Sequence, residues 1–219
     1  MVSNNYKQDQ ETYLSTEGAA KYKKNQEKDP WARFATWCEQ RAIARELARY
    51  KWELTDRLLD VPCGTGILGQ VLQQFPFQIV ASDYSQEMMA LARTQYPESR
   101  LAGFVKADIT DTPFPRKSFS CVITLGFLHF APPEIKHATL KEIAALTNRV
   151  AIVTCSVDTP LQRIKQAVLP WIKKRYSPAA CPAPLKEIIA ECESHGFRVV
   201  RAFMTIPLLS AEAILVLEK

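Results

Sequence analysis

The chain has only seven glycines and three histidines in 219 residues, and no apolar run approaches the ~20 residues that cross a bilayer. A membrane-spanning helix is therefore not expected, and the polar opening MVSNNYKQDQETYL lacks the apolar stretch of a secretory signal, so the sequence reads as cytoplasmic. Its six cysteines form no C-x-x-C pair, which leaves them reduced and mostly buried by expectation. The histidines and acids form no H-E-x-x-H or similar string, and no metal is expected. Internal repeats and low-complexity stretches are also missing. What is present, 47% hydrophobic and 23% charged residues, is the composition of an ordinary globular chain long enough for one domain.

Residues 1–30 are polar, with turn signals at Glu17-Gly18 and Asp29-Pro30, and roughly the first dozen are expected to fray. From Trp31, the residues Phe34, Trp37, Cys38, Arg41, Ala42, Arg45 and Leu47 recur at helical spacing, so residues 1–50 form a helical N-terminal extension. Short apolar runs at 57–61, 77–81, 101–106, 119–125 and 150–155 then alternate with helical patterns at 67–75, 86–96 and 134–147. A helix at 184–195 opens at a proline and closes at Gly196, and the last two strands, 197–203 and 212–217, have no helix between them. Their short connection requires antiparallel pairing. The predicted class is α/β: a doubly wound, mostly parallel seven-stranded sheet ending in an antiparallel hairpin, with helices on both faces.

Three of the seven glycines, Gly64, Gly66 and Gly69, fall between the first strand and its helix. Glycine allows a sharp turn and close backbone approach to a ligand, and the helix that follows offers free amides. The string Gly-x-Gly-x-x-Gly alone does not choose between a dinucleotide and another adenosine cofactor. Around it stand Asp60, four residues before Gly64 in LLDVPCGTG; Asp83-Tyr84-Ser85-Gln86-Glu87-Met88 at the second strand end; and Asp108-Ile109 at the third. An acid after each of three successive strands is unexpected by chance, and a nicotinamide enzyme leaves Asp60, Asp108 and the terminal hairpin unexplained.

These segments resemble the class I S-adenosylmethionine-dependent methyltransferases, from about Leu58 to Cys155 and more loosely to the end. Pro62 departs from the pattern, standing where that family usually has its first glycine, while Asp60, Cys63, Gly64, Thr65 and Gly66 are in register. The resemblance implies that Asp83 and its neighbours Tyr84 and Met88 flank the ribose, and that Asp108 and Ile109 meet the adenine. Leu125 and Gly126, at the end of the fourth strand, would lie beneath the methionine part. S-adenosylmethionine is thus the implied cofactor, and residues 51–219 its binding domain.

Methyl transfer from a sulfonium is a displacement that needs in-line placement and exclusion of water more than elaborate acid-base machinery. If the acceptor is a hydroxyl, His129, directly after the fourth strand, is the best placed base. No N/D-P-P-Y string follows that strand, which argues against exocyclic amines of bases and glutamine amides, and no Pro-Cys dipeptide stands there for cytosine chemistry. A small-molecule acceptor is expected, with no DNA. A net charge of +5 keeps an RNA methyltransferase as an alternative, opposed by the lack of an aromatic RNA-binding signature; a cofactor-binding protein without transferase activity is a second. Residues 159–186 carry Arg163, Lys165, Lys173, Lys174, Arg175 and Lys186 and no acid. With Leu161, Ile164, Val168 and Trp171 at helical spacing, residues 158–182 read as a basic amphipathic lid, for an apolar acceptor bearing an anionic group or for peripheral contact with an anionic membrane.

Overall fold

The computed structural model describes residues 13–160, 163–164, 182–207 and 210–219. Two helices open the described chain, α1 (Thr16–Lys28) and α2 (Pro30–Leu47). Each has a side-chain cap: Ser15 accepts from the Gly18 amide at 3.0 Å, and Asp29 accepts from Trp31 and Ala32 at 2.8 and 3.3 Å, with Pro30 in the first helical position. Helix α1 has no apolar stripe to announce it, because it buries only Gly18 and Ala19. Helix α2 does the reverse. Ile43 and Leu47 are fully buried, Glu46 pairs with Arg201, and Tyr50 just beyond donates to Glu218 at 2.8 Å.

The remaining elements follow the predicted alternation: β1 (Arg57–Asp60), α3 (Gly69–Leu72), β2 (Gln78–Asp83), α4 (Gln86–Ala92), β3 (Leu101–Lys106), β4 (Phe119–Thr124), α5 (Pro133–Leu146), β5 (Thr147–Ser156), α6 (Leu185–Ser194), β6 (Arg198–Met204) and β7 (Glu212–Glu218). Helices α3 and α4 are shorter than their hydrophobic patterns. Phe75 bonds the Leu72 carbonyl and Gln95 the Ala92 carbonyl, three residues back, so tight turns replace the last helical turns.

The seven strands run in the order β3-β2-β1-β4-β5-β7-β6, parallel except for β7, which is antiparallel to both β5 and β6. Alternate strand residues feed two cores. Leu58, Ile79, Ile123, Ile152 and Ile214 meet α2, α3 and α4 on one face; Leu59, Val80, Val122, Val153 and Leu215 meet α5 and α6 on the other. Sheet burial on both sides explains why the strands read as unbroken apolar runs. It also brings the C-terminal ends of β1, β2 and β4 to one edge.

The five described cysteines are unpaired; Cys63, Cys121, Cys155 and Cys192 are buried, and burial pushes their thiols up, so they stay protonated. No described helix is long and apolar enough to cross a membrane. Most of the lid predicted at 158–182, including Lys173, Lys174 and Arg175, lies outside the described residues.

Candidate functional site

The loop after β1 is stitched to both neighbouring strands: the Val61 amide donates to the Ile123 carbonyl at 2.9 Å and the Cys63 amide to the Ser82 carbonyl at 2.8 Å. Gly64 and Gly66 have φ of +53° and +81°, where a side chain is strained. Their surroundings differ. A Cβ on Gly66 would come within 2.9 Å of Gln95 Cβ, and one on Gly69 within 2.2 Å of the Gln95 carbonyl oxygen, whereas one on Gly64 would meet nothing within 4 Å. Gly66 and Gly69 thus let the end of α4 pack against the loop. Gly64 alone presents a bare backbone to open space.

Asp83 closes β2, buried, with its carboxylate fixed at both oxygens: the Gly64 amide donates to Oδ2 and the Ser85 amide to Oδ1, each at 2.8 Å. Burial raises its pKa and these amides oppose the rise. Ser85 caps α4 through the Met88 amide at 3.1 Å, and its hydroxyl donates to the Tyr13 carbonyl at 2.7 Å, which ties the segment before α1 to this edge. Tyr22 of α1 is held beside Asp83 and Glu39, its pKa pushed up to about 12, chiefly by burial. Asp108, exposed beyond β3, accepts from the Thr110 amide and hydroxyl at Oδ1 (2.8 and 2.7 Å), leaving Oδ2 without a hydrogen bond among the described residues. The Gly126 amide, after β4, donates to Thr154 at 2.8 Å.

Asp60 is different. It is 2% exposed and its Oδ2 accepts from Tyr96 at 2.5 Å; burial, with Asp83 adding, pushes its pKa up to about 7 against that hydrogen bond. Its described contacts hold the end of β1 to the turn after α4. Among the other predicted positions, Cys63, Thr65, Met88, Ile109 and Leu125 are buried, Pro62 is half-buried, and Tyr84 and Gly126 are exposed.

His129 lies one strand further along. It is buried, its Nδ1 is 2.9 Å from Ser156 Oγ, and its Nε2, which makes no hydrogen bond, is 3.6 Å from Glu212 Oε2. Burial pushes its pKa down to about 4, so the imidazole is neutral near pH 7. Glu212, opening β7, lies beside Glu39 of α2, and burial raises the pKa of both carboxyls. A neutral imidazole beside a carboxyl pair can take up and pass on a proton. Sequence reading found His129 but neither glutamate, since nothing in the local patterns links positions 39 and 212.

Residues 58–149 match a family described as "Methyltransferase domain". Over that stretch the chain is similar to methyltransferase domains. It is 26% identical over 146 residues to a demethylmenaquinone methyltransferase of Clavibacter sepedonicus, an alignment covering 65% of this chain and 56% of that protein. The chain thus spans little more than half of that relative. The domain's fold resembles magnesium protoporphyrin IX methyltransferase of Synechocystis with bound S-adenosylhomocysteine (TM-score 0.71, 19% identity, 87% of this chain and 88% of that one). It also resembles human N-acetylserotonin methyltransferase in complex with S-adenosylmethionine (TM-score 0.67, 15% identity, 94% and 57%).

A cavity of about 890 Å³ lies where α1 and α2 face the glycine loop. Phe34 and Trp37 give it apolar walls, Lys23 and Arg33 positive charge against the one acid Glu27, and Thr65 and Ile67 reach it from the loop. Trp31, Phe34 and Trp37 form an exposed row on α2 with ring centroids 5.9 and 6.1 Å apart. Of the predicted cofactor positions only Thr65 lines this cavity; Asp83, Asp108 and Gly126 stand around the adjoining strand ends.

Proposed function

We propose that this protein transfers a methyl group from S-adenosylmethionine to a small-molecule acceptor. The observation that carries the reading is Asp83, buried and clamped between the Gly64 and Ser85 amides at the edge where Gly64 opens to solvent. A carboxylate so fixed has lone pairs left for the two ribose hydroxyls. Tyr84 and Met88 flank the ribose in this reading, and Asp108, through Oδ2, and Ile109 take the adenine. Pro62, Cys63, Thr65 and Gly66 shape the loop, with Asp60 holding it from behind, and Leu125 and Gly126 border the methionine part. The sulfonium supplies an activated methyl group when the cofactor is bound; the chain's task is placement and exclusion of water.

The acceptor we infer is an apolar or aromatic molecule with an anionic group, methylated on oxygen or nitrogen. The aromatic lining of the cavity beside the loop, with two basic residues against one acid, supports this, as do the names of two similar proteins, for demethylmenaquinone and magnesium protoporphyrin IX, both conjugated ring systems. Where the acceptor is a hydroxyl, His129 is the proposed proton acceptor. Calorimetry with S-adenosylmethionine tests the cofactor assignment. Asp83→Ala is expected to weaken binding by about 1–3 kcal/mol, the scale of hydrogen bonds to a charged group. No binding by the unaltered chain at millimolar cofactor refutes the reading.

A further inference from the structure

The three histidines of this chain do not all belong to the methyltransferase edge. His137 lies one turn into α5, while Glu191 in α6 and His195 just after it are four residues apart and share a face. The packing of α5 and α6 over the same core brings the three together. His137 Nδ1 lies 2.7 Å from Glu191 Oε1, and His195 Nε2 lies 3.4 Å from the same oxygen. The two rings are 4.6 Å apart, and all three donor atoms fall within 4.8 Å of one another.

One hydrogen bond from His137 to Glu191 accounts for only part of this arrangement. The side chain of His195 is nine-tenths buried, and its Nε2 points into the cluster without a hydrogen bond. A buried ring nitrogen with no partner is unfavourable, and a shared cation would satisfy it. A tetrahedral ion with bonds near 2.0–2.2 Å sets its ligand atoms roughly 3.4 Å apart. The Glu191–His195 edge already has that length. His137 is the adjustable member, since its side chain is 59% exposed and can swing to widen the 2.7 Å edge. That exposure also leaves room for water as a fourth ligand.

We propose that His137, Glu191 and His195 form a binding site for one Zn²⁺ ion, or a divalent ion of similar preference, that clips α5 to α6. Two imidazoles and one carboxylate suit zinc, cobalt, nickel or copper; magnesium and calcium prefer all-oxygen shells. The site lies between two helices on one face of the sheet, apart from the glycine loop, and is independent of the proposed transfer reaction.

The test is titration of the metal-stripped full chain with Zn²⁺ against a chromophoric chelator, with the thermal midpoint followed in parallel. One equivalent should bind, and Zn²⁺ at about a hundredfold over its dissociation constant should raise the midpoint by roughly 5–10 °C. His137→Ala, at an exposed position, should keep the metal-free midpoint and weaken binding about a hundredfold or more. His195→Ala should lose the site as well, with His137→Ala deciding the matter if it folds poorly. No stoichiometric binding by the unaltered chain would overturn the proposal, as would equal affinity in His137→Ala. A thiolate charge-transfer band in the Co²⁺ complex would place the metal on the cysteines and overturn it too.

Discussion

Replacing Gly69 and Gly64 separately by alanine should separate two jobs that one glycine-rich string performs. At Gly69 the new Cβ would sit 2.2 Å from the Gln95 carbonyl oxygen and 2.6 Å from its carbon. An ordinary carbon–oxygen contact is about 3.3 Å or more, so α3 and the turn after α4 must part by about 1 Å. Both partners are backbone and no rotamer change relieves the clash. Forced overpacking costs about 1–3 kcal/mol, and the rigid partner puts Gly69→Ala at the upper end or beyond. For a chain of this size that lowers the thermal midpoint by roughly 2–4 °C per kcal/mol. At Gly64 no atom stands within 4 Å, so the fold loses only about 1–2 kcal/mol for a side chain at a φ of +53°. Its methyl group, however, projects into the space assigned to the cofactor. Urea titration and calorimetry with S-adenosylmethionine should therefore give opposite rankings. Gly69→Ala should be the less stable but bind nearly normally well below its midpoint, and Gly64→Ala should be the more stable but bind at least about tenfold more weakly, or 1.4 kcal/mol. Unchanged stability in Gly69→Ala together with unchanged affinity in Gly64→Ala would refute the division.

Asp60 predicts a pH dependence. Folding raises its pKa from 3.8 to about 7, so between those values the folded chain binds the extra proton and stability falls as pH rises, by up to about 1.4 kcal/mol per unit. Asp60→Asn, which still accepts from Tyr96, should remove that slope; urea midpoints at pH 4.5 and 7.5 that shift in parallel for both proteins would contradict it. His129→Ala should lower turnover on a hydroxyl acceptor by roughly a hundredfold while calorimetry shows cofactor affinity nearly intact. An unchanged rate would return His129 to packing beside Ser156.

Strand positions were legible because burial on both faces leaves apolar runs such as 119–125 with no competing periodicity. The terminal hairpin was legible from chain length alone. Helix α1 was legible only as part of a helical extension over 1–50 and not in its bounds, since a helix held by Ser15 and by contact with α4 needs no apolar stripe. The glycine string told of a tight loop, but its spacing cannot separate a glycine that makes room for Gln95 from one that faces a ligand. Asp60 shows the same limit: the sequence puts an acid at the strand end, while its partner Tyr96 lies 36 residues on and is set by the turn after α4. Glu39 and Glu212 meet only because α2 lies across the strand ends, a tertiary event without a local signature.

Helix α2 has neighbours on two sides through consecutive residues. Gln40 donates to the Ile67 carbonyl in the glycine loop, and Glu39 lies beside Glu212 near His129. Ile43 and Leu47, one turn and two turns on, anchor this stretch of helix in the core. A ligand that displaces Ile67 must break or stretch the Gln40 bond. One helical turn therefore touches both the glycine loop and the surroundings of His129.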